Sequence, residues 1–386
     1  MPRREVPITG AVLRWAREES GLSQQALADA VGVEREAVAA WEAEQARPSG
    51  GQLTRLAGVL RRPSAVFLLP EPPRRESLRT FFRQAPGLAG HEISDAESRH
   101  IRWGRRLQEI VSWVLADRGA QPVDLPRLSV SEPTEQAAAA VRRLLGVPPA
   151  SQLAWESPSE AFRAWRGVLE ERGVLVLQLQ MGRGNIRGFS AWDDRAPVAA
   201  VNTAYHPTAR IFTLFHEVGH LLTRTDAACL RFIGPSDSEA GAERWCERFA
   251  AELLVPTDVL RAVATSLGVS DRRQVADVDT ARRIAGRFKV STRAVSLRLQ
   301  EIGLAPPSLY GLVERELALL DWNPSAGGGG GQPASEKRLG QLGERIPEIL
   351  FAAEGNGRVT EADLADYLRL STGQLDDLRS LIGTYA

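Results

Sequence analysis

Arg210-Ile211-Phe212-Thr213-Leu214-Phe215-His216-Glu217-Val218-Gly219-His220-Leu221-Leu222 is the stretch whose reading decides the architecture. At about 100° per residue, Ile211, Leu214, Phe215, Val218, Leu221 and Leu222 fall on one face, and Thr213, His216, Glu217, His220 and Thr223 on the other. The pattern predicts an amphipathic helix with a buried side and a chemical side. His216 and His220 stand one turn apart, so two imidazoles can hold one metal ion, and Glu217 lies beside them, close enough to take a proton from an attacking water. This is HExxH, a zinc-hydrolase signature. The chain has only five histidines, so chance seldom produces this spacing. The bland alternative, two surface histidines near a carboxylate, does not account for the continuous apolar stripe opposite them.

A protein zinc site needs a third ligand, and a catalytic one an open fourth position. The extended HExxHxxGxxH pattern would place glycine at 223 and a ligand at 226; this chain has Thr223 and Asp226, which keeps Asp226 open as a ligand but removes the turn glycine. A stronger candidate lies in residues 236 to 256. There a Ser/Asp cluster can cap a helix, Trp245, Cys246, Phe249, Ala250 and Leu253 form its apolar stripe, and Pro256 closes it. Glu243 and Glu247 share another face of that helix one turn apart; one would ligate the metal and the other hold a ligand histidine by its second ring nitrogen. For Glu247 a solvated surface charge is the alternative.

Residues 212 to 222 (Phe-Thr-Leu-Phe-His-Glu-Val-Gly-His-Leu-Leu), followed by Glu243-Arg-Trp-Cys-Glu-Arg-Phe-Ala-Ala-Glu-Leu-Leu-Val-Pro256, resemble the ImmA/IrrE metallopeptidases. The resemblance implies zinc, with manganese as the alternative, and makes Glu243 the third ligand. The family usually has Ala-Asn where this chain has Cys246-Glu247.

With 386 residues and an apolar fraction of 43%, the chain is long enough for several domains of ordinary globular composition. Two cysteines give no disulfide framework, and neither a signal peptide nor a membrane-length apolar run is expected, which points to a cytoplasmic protein. The 48 basic and 48 acidic residues balance, so composition does not favour strong non-specific nucleic-acid binding. Only Lys289 and Lys337 are lysines, a codon-level bias toward arginine.

Residues 8 to 67 read as a helical domain: a helix ending at Gly21, a second capped by Ser23, a turn at Val31-Gly32-Val33, a third helix carrying Val38 and Trp41 inward, and a fourth from about Gln52. Helix, glycine turn, helix is the unit that lays its second helix in the major groove. The segment resembles the XRE-type DNA-binding domain, which implies Gln24 or Gln25 near the DNA backbone and residues 34 to 40, with Arg35, facing bases. Charge argues the other way. Residues 1 to 60 hold seven arginines against eight acids, a balance of about minus one, so a protein-interaction or dimerisation module, and with it a homodimer, stays open.

The remainder is expected to divide into a proline-rich linker and bridging helix (68–132), the metallopeptidase domain (133–258), a second helix-turn-helix-like domain (259–322), a glycine-rich linker (323–335) and a small helical cap (336–386). Three strands are expected near 173–179, 186–192 and 197–202, with a hairpin turn at 182–185 and the 186–191 strand as the edge on which an extended peptide would add. His206 is either an oxyanion stabiliser or a loop residue, His91 and His100 are surface or packing residues, and Lys289, Arg293 and Arg298 give the second helix-turn-helix the better nucleic-acid chemistry. The fold class is thus mainly α and multidomain, with a helix-turn-helix bundle, an α+β zincin-like domain with a small sheet, and C-terminal helical domains. The function expected is a zinc endopeptidase of limited specificity that cuts a protein partner, such as a transcriptional repressor or neighbouring-gene product. The alternative is a DNA-binding regulator or antitoxin whose peptidase-like domain senses or binds.

Overall fold

The computed structural model describes residues 5–20, 22–60, 64–71, 81–84, 95–182, 186–224, 237–270, 274–319 and 331–385. It divides into two compact units, Met1–Leu78 and Arg79–Ala386.

In the first unit α1 (Gly10–Glu19), α2 (Gln24–Val31), α3 (Arg35–Glu42) and α4 (Gly50–Leu60) are followed by a 3₁₀ turn at Ser64–Leu68. Ser23 caps α2 by accepting from Ala26 N, and Gly32 ends it at φ 72°, a left-handed conformation that glycine adopts without a Cβ penalty. The serine starts α2 and the glycine sets the α2–α3 turn. Leu13, Ala16, Leu27, Val31, Val38, Trp41, Leu56 and Phe67 close the core between the helices. Glu42 is buried in it, accepting from Arg17 Nε at 2.5 Å and Gln24 Nε2 at 2.9 Å.

The second unit begins with β1 (Phe81–Gln84) and the long helix α5 (Asp95–Asp117), then α6 (Thr134–Leu145), α7 (Pro149–Ala154) and α8 (Pro158–Glu171). The strands β2 (Leu175–Leu179), β3 (Ile186–Ala191) and β4 (Val198–Asn202) lead into α9 (Pro207–Thr223) and α10 (Asp237–Leu254). There follow α11 (Thr257–Ser266), α12 (Val278–Phe288), α13 (Thr292–Glu301), α14 (Ser308–Leu319), α15 (Ala334–Leu342), α16 (Arg345–Gly355), α17 (Glu361–Leu368) and α18 (Thr372–Tyr385).

The sheet order is β1-β3-β4-β2. β4 runs parallel to β2 and antiparallel to β3, and β1 pairs antiparallel with β3. Two expectations are corrected here. β2 and β3 do not pair as the expected hairpin, because β4 lies between them, and residues 183–185 of that expected turn lie outside the described residues. The edge expected at residues 186–191 is not bare, because β1 covers it.

Both faces of the sheet are buried, which explains why β2 and β4 read as nearly continuous apolar runs. Val174, Val176, Ala199 and Val201 face a core shared with α6, α8, α9, α10 and the helices from α11 to α14. Leu175, Leu177, Leu179, Phe189, Val198 and Ala200 face a second core shared with α5 and with α15 to α18. The helices of the expected small cap share this second core with the sheet. Trp103 of α5 fixes the docking: its Nε1 donates to Tyr367 O at 2.9 Å, and the guanidinium groups of Arg338 and Arg369 lie over its ring. Likewise α12 to α14, expected as a domain, complete the core beside α10.

Candidate metal centre

Helix α9 starts where Pro207 occupies its first turn and the His206 side chain accepts from Thr208 N. The apolar stripe packs as its spacing predicts, with Phe215 edge-on to Trp165 at 4.7 Å between ring centroids. The other face is not open to solvent. Thr213, His216, Glu217 and His220 are all buried, beneath α10 and β3, so the helix is enclosed on every side.

Helix α10 carries the second part of the site. Its stripe, including Trp245 stacked on Phe249, faces inward, and Trp245 Nε1 donates to Glu132 O at 2.8 Å. Its C-terminal end is fastened by Arg142, which donates to Leu253 O at 2.5 Å, and by Gln152, which donates to Leu254 O and Phe288 O. Gly219 lets α9 and α10 approach: a Cβ there would stand 3.1 Å from Cys246 Sγ and 3.2 Å from Cys246 Cβ. That approach brings Glu243, one turn before Cys246, to the histidines.

His216 Nε2 and His220 Nε2 are 3.1 Å apart. Glu243 Oε2 is 3.2 Å from His216 Nε2, and Glu243 Oε1 is 3.3 Å from His220 Nε2. Ligand bonds of about 2.0–2.2 Å in tetrahedral geometry put neighbouring donors about 3.3–3.6 Å apart. The three side chains thus form one triangular face of a tetrahedron, and their donor set of two imidazoles and a carboxylate suits zinc or another borderline divalent ion. Burial disfavours the Glu243 carboxylate, but hydrogen bonds from His216 and His220 outweigh it and hold its pKa far below the usual carboxylate range.

Glu217 is fully buried, and Ser190 Oγ on β3 donates to its Oε2 at 2.8 Å. Gly188 sits on the same side of β3: a Cβ there would come 2.5 Å from Thr213 Cγ2, 2.6 Å from Ala200 O and 3.1 Å from Glu217 Oε1. Gly188 and Ser190 are the partners of Glu217 that sequence reading missed. Period-two alternation in β3 places them on one face, and that was the signal available.

The other sequence candidates fall elsewhere. His206 is exposed and ten residues before His216 on α9, a rise of about 15 Å, so it cannot reach the metal centre; it serves as the helix cap, its Nδ1 2.9 Å from Thr208 Oγ1. Partial desolvation of its ring and the nearby Arg210 lower its pKa. Glu247 is exposed, and among the described residues no hydrogen bond joins it to an imidazole. Asp226 and His91 lie outside the described residues, and His100 is half-buried on α5.

Residues 169–300 match the family profile of the IrrE N-terminal-like domain of M78 peptidases, and residues 13–67 match a helix-turn-helix profile. The chain joins a helix-turn-helix segment to an IrrE-like domain. No curated protein matched the chain. Among the described residues no helix is long and apolar enough to cross a membrane.

The IrrE-like match ends within the helices once expected to favour nucleic acid, and their basic residues are paired with partners on the chain itself. Arg298 forms a buried ion pair with Glu252 and a 2.8 Å hydrogen bond to Thr257 Oγ1, joining α13 to α10. Arg293 pairs with Glu314, and Lys289 Nζ donates to Gly286 O at 2.8 Å. That expectation is corrected: these cations hold α12 to α14 in place. In the helix-turn-helix, Gln24 is tied to Glu42, Gln25 donates to Asp29 at 2.9 Å, and Arg35 is exposed at the start of α3.

Proposed function

We propose that the chain is a zinc-dependent endopeptidase of limited specificity that cuts a protein partner, such as a transcriptional repressor or the product of a neighbouring gene, in the cytoplasm. The triangle of His216, His220 and Glu243 beside Glu217 carries this reading. His216, His220 and Glu243 hold the ion, with zinc favoured and manganese the alternative. The metal, when bound, acidifies water and polarises a carbonyl oxygen. Glu217 accepts the proton of the attacking water and passes it to the leaving amine. Ser190 donates to Glu217 Oε2 and so holds the carboxylate against β3. The helix-turn-helix directs the peptidase toward DNA-bound partners, with Arg35 and Gln25 as the residues facing nucleic acid, or serves as a dimerisation module.

A second reading, a DNA-binding regulator or antitoxin whose IrrE-like domain senses a ligand, is favoured by the complete burial of Glu217. Incubation with the neighbouring-gene product and zinc or manganese separates the two. A single discrete cut, absent with Glu217→Gln, supports the peptidase; an intact partner under both metals favours the sensor.

A further inference from the structure

Zincin-like chemistry on a protein requires that an extended stretch of substrate lie beside the metal, and an antiparallel strand added to a sheet edge is the usual way to hold one. In this sheet the strand nearest Glu217 is β3, through Gly188 and Ser190. The place beside β3 is already filled. Phe81 pairs with Ser190, Phe82 with Phe189 and Arg83 with Gly188, so β1 runs antiparallel along the two positions that contact Glu217. Helix α9 also touches β1. At the opposite end of the sheet, α15 packs against β2.

The outer edge of β1 lies one strand further out, about 4.8 Å more distant from the Glu217 side of β3. A peptide added there would be too remote for hydrolysis. Glu217, meanwhile, is 0% exposed, although hydrolysis requires water and a carbonyl carbon to reach it. β1 is also built to leave. It is four residues long, has β3 as its single strand neighbour among the described residues, and its register breaks between Arg83 and Gln84.

We propose that β1 holds the place of the substrate strand on β3, so that the resting chain blocks its own site and admits an extended peptide only as β1 withdraws. This rests on the peptidase reading for what the site does, but not for what occupies it.

The test uses the full chain and a fluorescein-labelled peptide of its own residues 79–86, Arg-Thr-Phe-Phe-Arg-Gln-Ala-Pro, with binding read by anisotropy in chelator so that nothing is cut. Phe82→Pro removes a strand N–H, and Phe82→Gly keeps every amide while loosening β1. Both variants should bind the peptide at least tenfold more tightly than the parent, with the circular dichroism of the parent retained. Equal affinity in parent and variants, or no binding to any of them, overturns the proposal. Failure of the peptidase reading shows separately: with zinc restored no protein cuts the peptide, yet the tenfold difference in binding stands.

Discussion

The space around Gly188 gives a quantitative test of how the site is held. In Gly188→Ala the new methyl would meet Ala200 O at 2.6 Å and Thr213 Cγ2 at 2.5 Å, both closer than real Cβ contacts come. Thr213 lies on buried α9, and Ala200 O belongs to β4, the strand paired with β3, so neither can yield without moving an element. Overpacking of this kind costs about 1–3 kcal/mol, and a backbone obstacle places it near the upper end. The entropy regained by replacing glycine returns roughly 0.5–1 kcal/mol, leaving a net loss of about 2 kcal/mol. For the unit Arg79–Ala386 that is a fall in Tm of about 3 °C. Gly286→Ala is the control: it lies in the interior of α12 with nothing within 4 Å of its Cβ position, and should stabilise by up to about 1 kcal/mol. Urea and thermal unfolding of the metal-free proteins measure both. A Gly188→Ala chain as stable as the parent would refute the packing of β3 against α9, and with it the support of Glu217.

Three further outcomes follow from other parts of the structure. Burial opposes ionisation of Glu42, but the hydrogen bond from Arg17 wins and lowers its pKa; its stabilisation of the first unit is therefore full above the ordinary carboxylate pKa and fades as pH falls through the folded value. Glu42→Ala should cost about 3 kcal/mol at neutral pH and flatten that acid limb, as read by unfolding from pH 7 to pH 3. Arg298→Met strands Glu252 in the core and should cost about 3 kcal/mol, whereas the double change with Glu252→Leu should recover most of the loss in a double-mutant cycle. In the parent, zinc at one hundred times its Kd should raise stability by about 2.7 kcal/mol, and in His220→Ala that increment should vanish from the melting curve.

The helices and the histidine pair were legible because their information is local. The one-turn spacing of His216 and His220, and the apolar stripe ending before Pro256, needed only the period of a helix; period alone left Glu243 and Glu247 equivalent, and the family resemblance chose Glu243. The sheet was less legible. Three of its strands were placed within two residues, but β1 was read as linker, β4 lies between β2 and β3, and β1 reaches β3 across about a hundred residues of sequence, a pairing no local pattern encodes. The same limit hid the hydrogen bond from Ser190 to Glu217 and the packing of α15 to α18 against α5 and the sheet. Arg293 and Arg298 misled for a related reason: a run of cations looks free until its acidic partners, Glu314 and Glu252, are brought to it by the fold.

The central claim is that His216, His220 and Glu243 bind a divalent ion for which Glu217 supplies the base. It is tested most directly by Glu217→Gln, with zinc affinity and cleavage of a confirmed protein substrate measured on the same preparation. Zinc affinity should stay within a few-fold of the parent, because Glu217 is outside the ligand triangle, while the discrete cut disappears. Cleavage that survives in Glu217→Gln would contradict the account.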